Sequence, residues 1–226
     1  VCELATLDVT DQEDVDRVVN RILDEEGAID ALINNAGYGQ FGPIEDVTTE
    51  RVRDQFDVNV YGPHRLIRAA LPSMREAESG TIVNVSSVTG RLSSPGMGAY
   101  SASKFALEAM SDALRGEVET FGVDVAVVQP GPVDTNFDDR ADAELDPLDQ
   151  TDAYESVYKA YDDARNLGGV GSVSPEAVAN VILEAGTSTN PQSRYTVGPV
   201  SRYGVMAGLL PDWFRDAVFR LLRRLA

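Results

Sequence analysis

Short apolar runs alternate with longer amphipathic stretches along nearly the whole chain, and this alternation limits the possible folds more than any other feature. The apolar runs are "ELATLDV" (3–9), "DALINNAG" (30–37), "TIVNVSS" (81–87), "VDVAVVQPG" (123–131) and "RYTVG" (194–198). Each is short enough for a buried strand, and the segments between them carry helical periodicity. After the first run, Val15, Val18, Val19, Ile22 and Leu23 form one stripe, with Thr10 and Glu13 in a capping-box pattern and Gly27 as a stop. A helix over about 49–74 carries Val52, Phe56, Val60, Leu66 and Ile67. Another over about 100–121 carries Leu107, Met110, Leu114, Val118 and Phe121. Ser174 and Pro175 are placed as N-cap and first-turn residue of a helix through Glu184, and a last helix closes the chain. Strands joined by helices require right-handed crossovers, so the expected fold is α/β with a doubly wound parallel sheet. No repeat or linker divides residues 1–226, so one domain is expected.

Composition narrows the function. The chain has 37 acidic against 19 basic residues, a net charge of −18 that opposes binding to nucleic acid. Only two of the basic residues are lysines, Lys104 and Lys159. Plain acidity does not require the loss of lysine, so a halophilic surface is favoured over an ordinary acidic one. The single cysteine, Cys2, excludes an intrachain disulfide. With no apolar run of membrane-spanning length and no signal-like start at Val1, a cytoplasmic protein is expected. No cluster of His, Cys and carboxylates has metal-ligand spacing, and His64, the one histidine, reads as a surface or interface residue.

In a doubly wound sheet, ligands bind beyond the carboxyl ends of the strands. There the chain places Asp8, "NNAG", "SSVTG" and "PGPV", all rich in small or hydrogen-bonding groups that also suit ordinary turns. Tyr100 and Lys104 then stand four residues apart at the start of a helix, on one face. An ammonium beside a phenol favours the phenolate, and such a tyrosine can exchange a proton with a carbonyl or alcohol oxygen. Ser87, at the end of the preceding strand, can bring a neutral hydroxyl to the same oxygen.

Taken in order, "LDV" (7–9), "NNAG" (34–37), Asn59 in "FDVNVYG", "VNVSS" (83–87), "YSASK" (100–104) and "PGPVDT" (130–135) resemble the classical short-chain dehydrogenase/reductase family, from residue 1 to about 200. The resemblance implies a Rossmann-type fold and hydride transfer between NAD or NADP and a ketone or secondary alcohol. It assigns Tyr100 as acid/base. Lys104 binds the nicotinamide ribose and lowers the tyrosine pKa, Ser87 positions the substrate oxygen, and Asn59 holds a water in a proton relay. Asp8 and Val9 correspond to residues at the adenine. Asn34, Ala36 and Gly37 correspond to the segment by the adenosine ribose, and Pro130, Gly131, Val133 and Thr135 to the loop over the nicotinamide. Two local alternatives stand beside these roles: Asn59 as the cap of a helix distortion, and Asp8 as a helix cap.

The family also begins with a strand, a TGxxxGxG turn, a helix and a second strand, and this sequence contains no such turn. The expectation is an N-terminally incomplete chain lacking the first two strand–helix units. The segment 3–9 would then have no sheet partner, an edge would be exposed, and cofactor would bind poorly. A non-catalytic Rossmann-type binding or scaffold protein is the alternative reading. Residues 136–172 correspond to the substrate loop, with one helix expected in "DAYESVYKAYDDARN". In the tail, 211–226, Trp213, Phe214, Ala217, Val218, Leu221, Leu222 and Leu225 share a helical face, with Arg215, Arg220, Arg223 and Arg224 opposite. Packing over the substrate pocket or a partner subunit is favoured over contact with a membrane surface. The tail's form resembles family members acting on apolar alcohols and ketones. The resemblance further implies a homodimer or homotetramer built through the helices at 49–74 and 100–121.

Overall fold

The computed structural model describes residues 3–166, 171–208 and 210–225, with side chains at 138, 164–166, 218, 219 and 221–225 left aside. Cys2, the centre of the substrate loop at 167–170, and the tail side chains Val218, Leu221, Leu222, Arg223, Arg224 and Leu225 therefore lie outside the described parts. Four parallel strands form one sheet in sequence order: β1 (Ala31–Asn34), β2 (Gly80–Val85), β3 (Val123–Pro130) and β4 (Arg194–Val197). Parallel neighbours cannot be joined by a hairpin, so each connection crosses a face of the sheet as helix.

The crossovers cover both faces. From β1 to β2 run α2 (Thr49–Phe56), a π-turn (Asp57–Tyr61) and α3 (Gly62–Glu76); from β2 to β3 runs α4 (Gly98–Val118). From β3 to β4 run α5 (Phe137–Leu145), α6 (Glu155–Asn166) and α7 (Pro175–Thr187). Side chains alternate along a strand, and the core divides accordingly. Ile82 and Val125 point to one face, against Ile67, Ala70 and Met74 of α3 and Val118 of α4. Val83, Ala126 and Val128 point to the other, against Val178 and Ala185 of α7. The N-terminal α1 (Gln12–Glu26) packs Val15 and Val19 onto Leu66 of α3. This is the expected doubly wound Rossmann-type fold.

Three local expectations are corrected. Residues 3–8 form no strand, because an extended segment becomes one only when a ladder partner completes its hydrogen bonds. β1 pairs only with β2 among the described residues, and Ile33 on it is 38% exposed. At the start of α1 the cap is Asp11, whose carboxylate accepts from Glu13 N at 2.9 Å, while Thr10 donates instead to Asp8. The segment after β3 holds two helices, α5 as well as the expected α6, since Phe137, Ala141 and Leu145 find an apolar seat across the loop after β1. The remaining boundaries match closely: Gly27 ends α1 in the left-handed region at φ 79°, and Ser174 accepts from Ala177 N at the start of α7.

Candidate active site

At the carboxyl ends of the strands, α4 brings its first turns against the end of β2. Lys104 is 5% exposed, and its Nζ donates to the Val85 carbonyl at 2.9 Å, the last residue of β2. The same nitrogen lies 5.9 Å from the centroid of the Tyr100 ring. Burial brings the Lys104 pKa down from 10.5 to about 8, against an opposing pull from the Glu108 carboxylate. One bond to a carbonyl leaves two of the ammonium's three donors for other acceptors.

Tyr100 is 7% exposed and packs edge-on against Phe41, with ring centroids 5.6 Å apart, and tilted against Phe137 at 5.7 Å. Phe41 follows β1 and Phe137 opens α5, so the tyrosine is walled on one side by aromatic rings from two crossovers. Ser87 follows β2 by two residues. Half-buried and extended, it caps the short 3₁₀ turn Val88–Gly90 by accepting from Thr89 N at 3.2 Å.

Asn59 lies within the π-turn, 1% exposed. Its Oδ1 accepts from Tyr38 N at 3.1 Å, and its Nδ2 donates to Tyr38 O at 3.0 Å and Ser103 Oγ at 3.1 Å. A Cβ added at Gly37 would stand 2.9 Å from Asn59 Oδ1 and 3.6 Å from Lys104 Nζ. Gly37, Asn59, Ser103, Lys104 and Tyr100 therefore form one contiguous group, and Ser87 stands two residues beyond the Val85 carbonyl that holds Lys104.

The other expected residues fall in three places. Asn34, 4% exposed at the end of β1, donates to Asn84 Oδ1 at 2.8 Å, and Asn84 donates to Ser111 Oγ at 2.9 Å. The Asn34 Oδ1 is buried without a hydrogen-bond partner, and Ala36 two residues on is exposed. Pro130 ends β3, and Gly131 N donates to Val197 O at 3.0 Å. Val133 bridges to Val173, while Thr135 Oγ1 accepts from Phe137 N at 3.2 Å. Asp8 and Val9 lie apart, in the turn into α1. Asp8 is exposed, and the Thr10 hydroxyl and N–H hold its carboxyl below the usual range. Val9 packs on Gly62 and accepts from Arg65 through its carbonyl.

The fit to a nicotinamide dinucleotide rests on the unsatisfied Asn34 Oδ1 and on the Lys104 ammonium with donors to spare. Both suit ribose hydroxyls, so Asn34, Ala36 and Gly37 would hold one nucleoside end, and Tyr100, Lys104, Pro130, Gly131, Val133 and Thr135 the other. No Gly-rich strand-to-helix turn for the pyrophosphate occurs in the sequence.

Several further residues carry no signal in the sequence alone. Gln40 and Gln55 are both fully buried: Gln40 N donates to Gln55 Oε1 at 2.6 Å, and Gln55 Nε2 donates to Tyr38 O at 2.6 Å. Asp46 accepts from Thr151 Oγ1 at 2.6 Å and Tyr158 OH at 2.6 Å, tying the segment between α5 and α6 to the loop after β1. In the tail, α8 (Pro199–Ala207) packs near the 3₁₀ turn after Ser87, and α9 (Asp212–Leu225) leaves Trp213 70% exposed. No helix among the described residues is long and apolar enough to cross a membrane.

Comparison with known proteins places this geometry in a family. A model described as short chain dehydrogenase matches residues 2–146. An uncharacterized oxidoreductase of Escherichia coli K12, YbbO, is 36% identical over 216 residues, covering 95% of this chain and 76% of that protein. The 3-ketodihydrosphingosine reductase of Bacteroides thetaiotaomicron is 35% identical over 225 residues, covering 98% and 81%. A short chain dehydrogenase from Burkholderia cenocepacia, solved in complex with NADP, superposes with a TM-score of 0.72 at 27% identity, covering 96% and 77%. The chain belongs to the short-chain dehydrogenase family of NAD(P)-dependent oxidoreductases.

Proposed function

We propose that the protein transfers a hydride between NAD(P)H and a ketone or secondary alcohol, with Tyr100 as acid/base. The observation that carries this reading is the seat of Lys104, a buried ammonium held by the Val85 carbonyl beside the Tyr100 ring. The bound cofactor supplies or accepts the hydride. Tyr100 gives its hydroxyl proton to the carbonyl oxygen as the carbon is reduced, and takes a proton back when an alcohol is oxidised. The Lys104 charge stabilises the phenolate that remains, and the Ser87 hydroxyl donates to the same substrate oxygen. Asn59 fixes the backbone at Tyr38 and the Ser103 hydroxyl, so the tyrosine and lysine are held in place from both sides; its part in a water relay belongs to the same proposal.

Phe41, Phe137 and Tyr161 give the space beside Tyr100 an aromatic wall, with Tyr161 5.5 Å from Phe41. Such a wall favours an apolar substrate. The name of the Bacteroides relative, a 3-ketodihydrosphingosine reductase, points the same way, to a ketone on a long alkyl chain. Tyr61 and Phe105, exposed on the two long helical segments, support assembly as a homodimer or homotetramer through them.

The test is Tyr100→Phe, assayed by cofactor absorbance with long-chain ketones. Removing the acid is expected to lower kcat by about 10²–10⁴-fold. NADPH affinity should stay within a few-fold, because Lys104 keeps its seat. Turnover retained at the wild-type rate removes Tyr100 from this role.

A further inference from the structure

One charged group near the site is not used by the chemistry above. Glu108 lies one turn beyond Lys104 on α4 and is 3% exposed. A carboxylate so deeply placed must be matched by donors, and both its oxygens are: Oε1 accepts from Gln129 Nε2 at 2.8 Å and Oε2 from Arg194 Nε at 3.0 Å. Tethering β4 to α4 does not need it. Arg194 Nη2 already donates to both oxygens of Asp112 at 2.6 Å, in the half-exposed outer part of the network, where Arg115 also meets Asp112 at 2.7 Å. Glu108 is the member that reaches inward, toward the 3₁₀ turn that follows Ser87. A Cβ added at Gly90 would stand 3.1 Å from its Cγ, 2.6 Å from Ser86 Oγ and 3.2 Å from the Lys104 carbonyl.

We propose that Glu108 is a positioning residue for Lys104, a buried negative charge one helical turn away that keeps the ammonium protonated in its seat at the end of β2. The groups facing the pair are few. On α4 they are Lys104 and Glu108 themselves and the Tyr100 phenol, whose ring lies 5.9 Å from the ammonium; β2 contributes the Val85 carbonyl, β3 the neutral Gln129 amide, and β4 the Arg194 guanidinium. Arg194 pairs with Glu108 at 3.0 Å, and Asp112 offsets the Arg194 charge, so the inner carboxylate's field remains available to the lysine. The direction agrees with the effect of Glu108 on Lys104, which opposes the loss of charge caused by burial. This role serves the hydride-transfer reading above, yet it is measured on the lysine alone, so the two can fail separately.

The sequence makes the measurement direct. With only Lys104 and Lys159 present, isotope labelling of lysine gives two resonances, and Lys159 on the exposed side of α6 is the internal reference. Charges on adjacent turns, interacting at an effective dielectric of about 20, couple by about one pH unit or more. Glu108→Gln keeps the volume and removes the charge. It is expected to lower the Lys104 midpoint by about one unit, cutting the charged fraction at about pH 7 roughly twofold, with Lys159 unmoved. Glu108→Asp, which restores the charge, is expected to return the midpoint toward wild type. If Glu108→Gln does not fold, Arg194→Gln reads the same coupling with opposite sign, since the less compensated carboxylate raises the lysine midpoint. An unchanged Lys104 titration in either folded variant overturns the proposal and leaves Glu108 as a tether alone.

Discussion

Lys104 makes the stability of the fold depend on pH in an unusual direction, and the size of the effect follows from its seat. Its pKa is about 8 in the folded protein against an ordinary 10.5. Between those values the unfolded chain binds more protons than the folded one, so stability rises with pH across the window. Below it, the lysine is charged in both states, and the folded state carries the full cost of burying the charge, about 3 kcal/mol. Integrated from about pH 7 to about pH 9.5, the gain is about 2 kcal/mol. The window closes there because Tyr38, raised to about 12 by burial, and Tyr158, raised by burial and by Asp46, remain protonated in the fold after unfolded tyrosines ionise; both lower stability above about pH 10. Lys104→Met removes the titrating group with little change of length. Urea unfolding of both proteins across the window should show wild type gaining about 2 kcal/mol relative to the variant, and the variant more stable at neutral pH. Parallel curves for the two proteins would refute the argument, since they would mean that Lys104 titrates alike folded and unfolded.

Two further substitutions test the frame around the site. Asn59→Ala removes the partners of Tyr38 N, Tyr38 O and Ser103 Oγ together, and should cost about 2–4 kcal/mol in the same urea assay, well beyond a surface alanine. The segment joining α5 to α6 is fastened by Asp46, whose carboxyl is held below its usual range chiefly by the Thr151 hydroxyl and then by Tyr158. That fastening is present above the ordinary carboxyl pKa and is lost as pH falls through the lowered one, so protease cleavage within 137–166 should quicken in acid. Asp46→Ala should give the same fast cleavage already at neutral pH.

What could be read from the residues was local, and what could not was joined across long stretches of chain. The Tyr100–Lys104 spacing is legible because i and i+4 share a helix face whatever surrounds them. Ser174 with Pro175, and Gly27, are legible because capping is decided within one turn. Residues 3–8 have a strand's composition, yet strand formation is a property of two segments, so composition alone misleads. α5 was hidden because four of the nine residues in "FDDRADAEL" are acidic, and Phe137, Ala141 and Leu145 matter only once Phe41 and Tyr100 are beside them. Glu108 and Arg194 stand 86 residues apart, and nothing near either announces the other. The buried Gln40 and Gln55 are of the same kind: apart from Arg51 on Gln40, their partners are backbone atoms, and backbone leaves no mark in a sequence.

The π-turn at 57–61 explains how such distant parts agree at one point. A π-turn inside a helix rotates the residues beyond it relative to those before. Here that rotation lets Val52 of α2 meet the aromatic cluster while Ile67, Ala70 and Met74 of α3 meet the sheet. The same widening turns Asn59 inward, where it takes both backbone groups of Tyr38 and the hydroxyl of Ser103, one residue before the lysine. Gly37 is then required for space and not for conformation: its φ is not positive, but any Cβ would press on Asn59 Oδ1 at 2.9 Å. The seat of Lys104 is thus fixed by short bonds from the π-turn, the loop after β1, the end of β2 and α4 itself. None of those bonds uses the edge of β1 that faces away from β2, so the geometry around Lys104 depends on the interior of the sheet and not on what lies along that edge.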